Sequence, residues 1–540
     1  MDGDRWVTVR AERQVLAVVR NLASAGRLAD VLPVFGSDPR IQTLFTTVSG
    51  SAFDDGLGEY LRKIRARVVP WRQAVGTEFD LTVAASPNGE LNELRAPLLL
   101  MSHGAGHNRL LRTPNGYSSQ VAGLARSQLV RDGRVLPAAI ALSHREQLER
   151  LARYCPEAVP FAVVTGDPSF DRMVAHLPRR ERYRRALGVP PGGTLVVVSS
   201  TWGEHSLFGA ASGLLARLVS ELPMDEYRVA VLTHPNIRAW HGGLQVDLWL
   251  SAARAAGLTV IPPEQGWQAA LIAADVVIGD HGSVTLYGVA LDRPTMLASS
   301  GGEGEELDPE SPIAELVGRL PRLDLDRRLL EQIRGVIATY VPGAYADVTG
   351  RTLGQVGDSG EAFRRVVYRL IDLPVPPGPV VPSPLPEPYG ERLTPSAFLA
   401  RVRFTPGGVD IKRYPAAARL DDAGPDPYLV VDIEELDRRL VESAAIIVGR
   451  GQRPGWAEDT LRRYPGCAAT ALADDHQVLM TIRDGPELLL SATPDLDPAI
   501  LPCVVHAWLA MGHRLDDLFA LTISVGFAKY RINATPPRSI

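Results

Sequence analysis

The chain has 540 residues, a net charge of −5 and 45 % hydrophobic residues. That length exceeds one hydrophobic core, so two or three domains are expected, with the apolar and charged balance of a soluble globular protein. The mildly acidic charge excludes a global pull towards nucleic acid. The polar start has no signal-peptide core, and no apolar run reaches the roughly 18 residues of a membrane span. A cytoplasmic protein without an integral membrane segment is expected, with peripheral membrane contact left open. Cys155, Cys467 and Cys503 lie too far apart in sequence for a disulfide framework or a paired metal motif, and read as buried reduced thiols.

In chain order, short apolar runs alternate with amphipathic stretches over residues 1–345. Strands are predicted at 15–19, 43–48, 67–71, 81–85, 98–102 and 138–143, with helical patterns at 23–34 and 56–64. Runs that are apolar throughout suit a parallel sheet covered on both faces, and their alternation with helices suits βαβ units. A second series is predicted at 161–165, 194–200, 227–232, 258–261, 276–278 and 294–298, with helices at 208–222, 247–256 and 267–273. The basic run at 179–186 reads as a solvated helix face. Residues 374–388, PVPPGPVVPSPLPEP, read as a stiff polyproline-type linker. Beyond them, apolar runs at 428–433, 444–448, 478–482 and 488–490 accompany helical segments at 499–509 and 515–521.

The expected fold is therefore α/β. Two Rossmann-like domains, 1–160 and 161–373, are followed by a linker at 374–393 and a smaller α+β accessory domain at 394–540 that carries no catalytic motif.

In doubly wound folds ligands bind beyond the carboxyl ends of the strands, so the residues that follow each strand are the candidates. After 98–102 come His103 and Gly104. A histidine there suits a general base, and the glycine allows a close approach; a structural histidine in a turn is the plainer reading. After 161–165 comes Gly166-Asp167-Pro168-Ser169-Phe170-Asp171, where Asp171 is expected to cap the helix it opens. Ser199, Ser200 and Thr201 follow 194–198, and His234-Pro235 follows 227–232. After 276–278, Gly279-Asp280-His281-Gly282-Ser283-Val284-Thr285 opens a helix whose N–H groups, with the Ser283 and Thr285 hydroxyls, suit an anion. No phosphate-loop, nucleophile-elbow, HExxH or paired CxxC motif is present, and no metal site is readable.

Taken in order, HGAG at His103, GDPSFDRM at Gly166, SSTW at Ser199, LTHPN at Leu232 and AADVVIGDHGSVTLYGVALDRP from Ala273 resemble the CDP-glycerol glycerophosphotransferase family over residues 95–300. The resemblance implies a GT-B arrangement of the two domains. It implies transfer of a glycerophosphate or related group from a nucleotide-diphosphate donor, CDP- or UDP-linked, to a hydroxyl acceptor, with no metal required. It assigns His103 as the base that deprotonates the acceptor, and it places His234 and Ser283 on the donor's phosphates. Gly104, Thr201, Asp280, His281, Gly282 and Thr285 complete the expected donor and phosphate site. The chain reads Asp280-His281-Gly282-Ser283 where the family has Asp-Tyr-Ser-Ser, and only Arg109 and Arg112 follow the His-Gly turn. A nucleotide-sugar transferase, a UDP-N-acetylglucosamine 2-epimerase-like enzyme and an inactive scaffold on the same fold stay as alternatives.

Overall fold

The computed structural model describes residues 8–48, 56–113, 116–300, 306–390, 392–406, 408–417, 426–451, 453–493, 496–515 and 522–535. The first strand, β1 (Arg13–Val19), is buried from Val15 onward. Val15, Ala17 and Val19 face one core, and Leu16 and Val18 face another. A strand covered on both faces is a continuous apolar run, which is what makes it legible. Strands β2 (Ile41–Thr47), β3 (Leu81–Ala84) and β4 (Leu98–Met101) follow. Two small hairpins come next, β5 (Leu110–Thr113) with β6 (Gly116–Val121) and β7 (Val130–Arg131) with β8 (Arg134–Val135). Strands β9 (Ala139–Leu142) and β10 (Ala162–Val164) complete a parallel sheet of order β10-β9-β4-β3-β1-β2. The strand expected at 67–71 contributes one bridge, Phe45 to Val68. Pro70 has no N–H to extend the pairing, and the chain turns into a helix at Trp71.

The second sheet is built from β11 (Thr194–Ser200), β12 (Tyr227–Thr233), β13 (Thr259–Ile261), β14 (Val276–Gly279) and β15 (Thr295–Leu297), in the order β13-β12-β11-β14-β15. All its pairings are parallel. It too is covered on both faces, with Leu195 and Val197 in one core and Val196 and Val198 in the other.

The boundary expected at 160/161 is corrected by two observations. Strand β10 pairs with β9 and belongs to the first sheet. The helix Ser359–Leu370 also returns to that sheet, where Phe363, Val366, Val367 and Tyr368 join its core. The chain thus crosses between the domains twice. A Pro-containing turn at Pro156–Phe161 looks like a boundary in sequence but only precedes the sheet's edge strand.

The C-terminal unit is not α+β but a closed barrel, formed by β16 (Ala397–Thr405), β17 (Gly408–Pro415), β18 (Tyr428–Asp432), β19 (Ile446–Arg450), β20 (Ala469–Ala473), β21 (Gln477–Ile482), β22 (Glu487–Thr493), β23 (Thr522–Val525) and β24 (Ala528–Thr535). The helix Leu501–Ala510 packs into its core. Of the strands that were not foreseen, β16 alternates instead of running apolar. In β16, Phe398, Ala400 and Val402 are buried while Arg401 and Arg403 point away. The helix expected at 515–521 lies, but for Leu515, outside the described residues.

Among its described residues the linker at 374–393 has no helix or strand, but it is pinned along its length. Arg172 Nε donates to the Ser383 carbonyl at 2.9 Å, the Leu385 N–H donates to His176 Nε2 at 3.1 Å, and Leu385 is buried. The barrel itself sits on the second domain. The buried Arg413 reaches Asp225 at 2.7 Å and Asp497 at 2.6 Å, and Phe527 packs on Gly192. Asp225 and Gly192 precede β12 and β11, so the barrel covers the amino edge of that sheet.

The three cysteines are buried free thiols. The basic run at 179–186 is not a freely solvated face: Arg180 and Arg184 both close on Asp275 at 2.5 Å.

Candidate active site

Loops from the carboxyl ends of the two sheets meet. Gly104, just after β4, is so near the helix Ser283–Ala290 after β14 that a Cβ on it would lie 2.7 Å from Ser283 Oγ. Beside it, His103 opens onto the cleft. Burial of the surroundings, then the charges of Arg109 and Arg27, push its pKa below the ordinary 6.5.

His234 stands at the tip of β12, where Pro235 opens a short helix. The Asn236 N–H donates to His234 Nδ1 at 3.1 Å, so the neutral ring carries its proton on Nε2. Burial lowers its pKa to about 3, with smaller contributions from His103 and Arg109. Two imidazoles therefore face one cleft from opposite domains.

The crevice between β11 and β14 is the order reversal of the second sheet, the usual ligand position of such folds. Here the structure sorts the expected residues. Asp280 is fully buried: Oδ2 accepts from the N–H groups of Thr201 (2.8 Å) and Leu207 (2.9 Å), and Oδ1 accepts from that of Gly282 (2.9 Å). A carboxylate saturated by backbone N–H groups shapes the loops and has nothing left for a ligand, so the direct donor contact expected of Asp280 is corrected. Gly282 spends its N–H on the same acid. Thr285 turns its hydroxyl inward to accept from the Asp280 N–H at 3.2 Å, so it too lies beneath the site. His281 is buried, with Nε2 3.2 Å from Glu306 Oε2, and belongs to the cleft wall. No side chain caps the helix at Ser283, and its first turn faces the Gly104 loop. Thr201 reaches the cleft through its hydroxyl, which accepts from Arg109 Nη2 at 3.0 Å.

Arg109 is the main residue underweighted by sequence reasoning. It lies on the His103 loop and crosses to the second domain. Besides Thr201 it contacts His281 Nε2 at 3.1 Å and Glu306 at 3.7 Å, and it lies over the Trp202 ring at 5.8 Å. Next to it the Leu110 N–H donates to the Glu306 carbonyl at 3.0 Å, and the Asp308 N–H donates to that of Asn108 at 2.9 Å. The buried pair Arg150–Asp308, at 2.9 Å, locks this seam. Its place in sequence, six residues after His103, was the available signal for Arg109. Glu306 and Arg150 are remote from every motif and carried none.

The Gly166–Asp171 turn serves the hinge. Asp167, not Asp171, caps its own helix, accepting from the Phe170 N–H. Asp167 also binds Arg27 at 2.6 Å and accepts from the Tyr287 hydroxyl at 2.8 Å, joining both domains under the cleft. Asp171 instead caps the returning helix, accepting from the N–H groups of Gly357 (2.8 Å) and Ser359 (2.9 Å). The sequence pattern of a cap was sound, but the helix it serves is distant in the chain.

Among the described residues no group of three or more His, Cys, Asp or Glu is placed to hold a metal ion, and no helix is long and apolar enough to cross a membrane.

No protein-family model and no curated protein matches the chain. The chain is similar to the wall teichoic acid polymerase TagF. That solved structure aligns at 12 % identity and a TM-score of 0.45, over 67 % of this chain and 90 % of that one. The UDP-GlcNAc 2-epimerase of Neisseria meningitidis bound to UDP-GlcNAc aligns at 13 % identity and a TM-score of 0.45, over 66 % and 100 %. Anabaena HepE in complex with UDP-glucose aligns at 14 % and 0.39, over 67 % and 100 %.

Proposed function

We propose that the chain is a GT-B-type transferase that binds a nucleotide-diphosphate donor between its two Rossmann-like domains and passes a glycerophosphate or related group to a hydroxyl acceptor. The observation that carries this reading is the pair His103 and His234. His234 presents an N–H, its tautomer fixed by the Asn236 backbone, and His103 stands on the facing loop across a cleft closed by a helix N-terminus.

In this reading His103 takes the acceptor's proton. The acceptor oxygen attacks the phosphorus that bears the transferred group, its bond to the bridging oxygen breaks, and the nucleoside monophosphate leaves with that oxygen. His234 Nε2–H, the first turn at Ser283 and Arg109 meet the charge on the phosphates, with Thr201 steadying Arg109. Positioning and charge stabilisation supply most of the acceleration in such a displacement. Asp280, Gly282 and Thr285 shape the loops, and His281 holds the wall. The motif order quoted from the sequence favours a glycerophosphoryl donor.

The test is titration of the protein with CDP-glycerol, UDP-glucose, UDP-N-acetylglucosamine and a GDP-sugar, read by calorimetry. CDP-glycerol binding supports the reading. Binding of a sugar nucleotide alone redirects it to sugar transfer or epimerisation, and binding of none supports the scaffold alternative.

A further inference from the structure

One buried acid of the cleft wall has no role in the reading above. The Glu306 side chain is 9 % exposed, with Oε2 3.2 Å from His281 Nε2 and 3.7 Å from Arg109 Nη1. Donors from both domains thus converge on an anion that the protein itself supplies. The bond to His281 leads in holding its pKa at about 2, so it is ionised at any working pH.

The charges around it nearly cancel. Arg109, whose charge reaches both His103 and His234, is offset by Glu306. Arg27, the other cation that reaches His103, is matched by Asp167 at 2.6 Å. Both histidines are neutral at pH 7. The cleft therefore offers N–H dipoles to a ligand and little net positive charge.

We propose, resting on the nucleotide-diphosphate reading, that Glu306 is a charge filter that admits diphosphates esterified at both ends and disfavours nucleotides ending in a free phosphate. A diphosphate diester carries about two negative charges near neutral pH, whereas a free di- or triphosphate carries about three or four. The added charge would enter a low-dielectric cleft beside a fixed carboxylate, where it is poorly screened. Glu306 acts on the ligand through Arg109 and through the field, and so is a specificity-determining residue that does none of the chemistry.

The experiment is calorimetric titration with CDP-glycerol against CDP and CTP, and UDP-glucose against UDP and UTP. Wild type should bind the matching diester about tenfold or more tightly than the triphosphate. Glu306→Gln should erase that ratio mainly by tightening CTP or UTP, and Glu306→Asp, which keeps the charge, should retain it. Thermal unfolding of each variant reports folding; should the Gln variant not fold, the wild-type ratio and the Asp variant decide. Triphosphates that bind wild type as tightly as the diester overturn the proposal, as does a Gln variant that loses both ligand classes equally. Binding of no nucleotide by wild type or either variant sinks the nucleotide reading as well, which separates the two failures.

Discussion

Gly104 and Ser283 belong to different domains, yet the space between them cannot hold a methyl group. A Cβ at position 104 would lie 2.7 Å from Ser283 Oγ and 3.1 Å from Ser283 Cβ. Gly104 is not among the residues of positive φ, so alanine is allowed by the backbone and its cost is steric. Gly104→Ala should lower the unfolding free energy by about 1–3 kcal/mol, as overpacking does. The loss should shrink in a Ser283→Ala background, where the nearer contact is gone. Denaturant unfolding of the single and double variants measures this, and strictly additive losses would discount the contact.

His103 can act as a base only when neutral. Its pKa lies below 6.5, so the base form predominates above that pH and is lost as pH falls through the lowered value. The acid limb of the kcat profile should have its midpoint below pH 6.5. His103→Gln should lower kcat by about 10²–10⁴ and leave donor binding nearly intact. Full turnover by that variant would remove His103 as the base.

Ser283 is the expected phosphate residue that the structure leaves facing the cleft loops. Ser283→Ala should weaken donor binding by about 1–2 kcal/mol, the range of a hydrogen bond to a charged group. Unchanged affinity in calorimetry would move the cradle elsewhere.

Asp280 should matter to stability more than to ligand affinity as such. Asparagine at this position turns an NH2 group towards backbone N–H donors. Asp280→Asn should cost about 2–4 kcal/mol of unfolding free energy. A variant with a wild-type melting curve and weakened donor binding would instead return Asp280 to the ligand.

The barrel and the second domain should resist separation. Arg413 is buried between Asp225 and Asp497, and the linker is tied to Arg172 and His176. Arg413→Leu leaves two acids without their cation and should cost about 3–5 kcal/mol at that junction. Limited proteolysis should cut the 374–393 stretch slowly in wild type and rapidly in the variant. Equal rates would show that the buried cluster does not hold the barrel in place.

What was legible in the sequence follows from periodicity. The two parallel sheets announce themselves because strands such as β1 and β11 are apolar on both faces. Barrel strands such as β16 do not, because Arg401 and Arg403 stand between its buried residues, whereas the apolar runs of β18, β19, β21 and β22 could be read. The strand tips were legible too, which is how His103, His234 and Ser283 could be named. Asp280, His281 and Thr285 share the same motif, but only coordinates distinguish a side chain that faces a ligand from one that anchors the loop beneath it. Glu306, Arg150 and the capping of a distant helix by Asp171 depend on long-range contacts that leave no local pattern.

The docking of the barrel on the amino edge of the second sheet has a mechanical meaning. Joined through the buried Arg413 cluster, the barrel and the second domain's half of the cleft make one arm, with the Asp167 and Asp171 turn where the chain crosses between the domains. A body attached behind the sheet swings opposite to the lip in front of it. Any molecule that grips the barrel and the first domain together would load that arm and bias how tightly the cleft closes. By reciprocity, a ligand seated in the cleft would change the strength of that grip by the same factor.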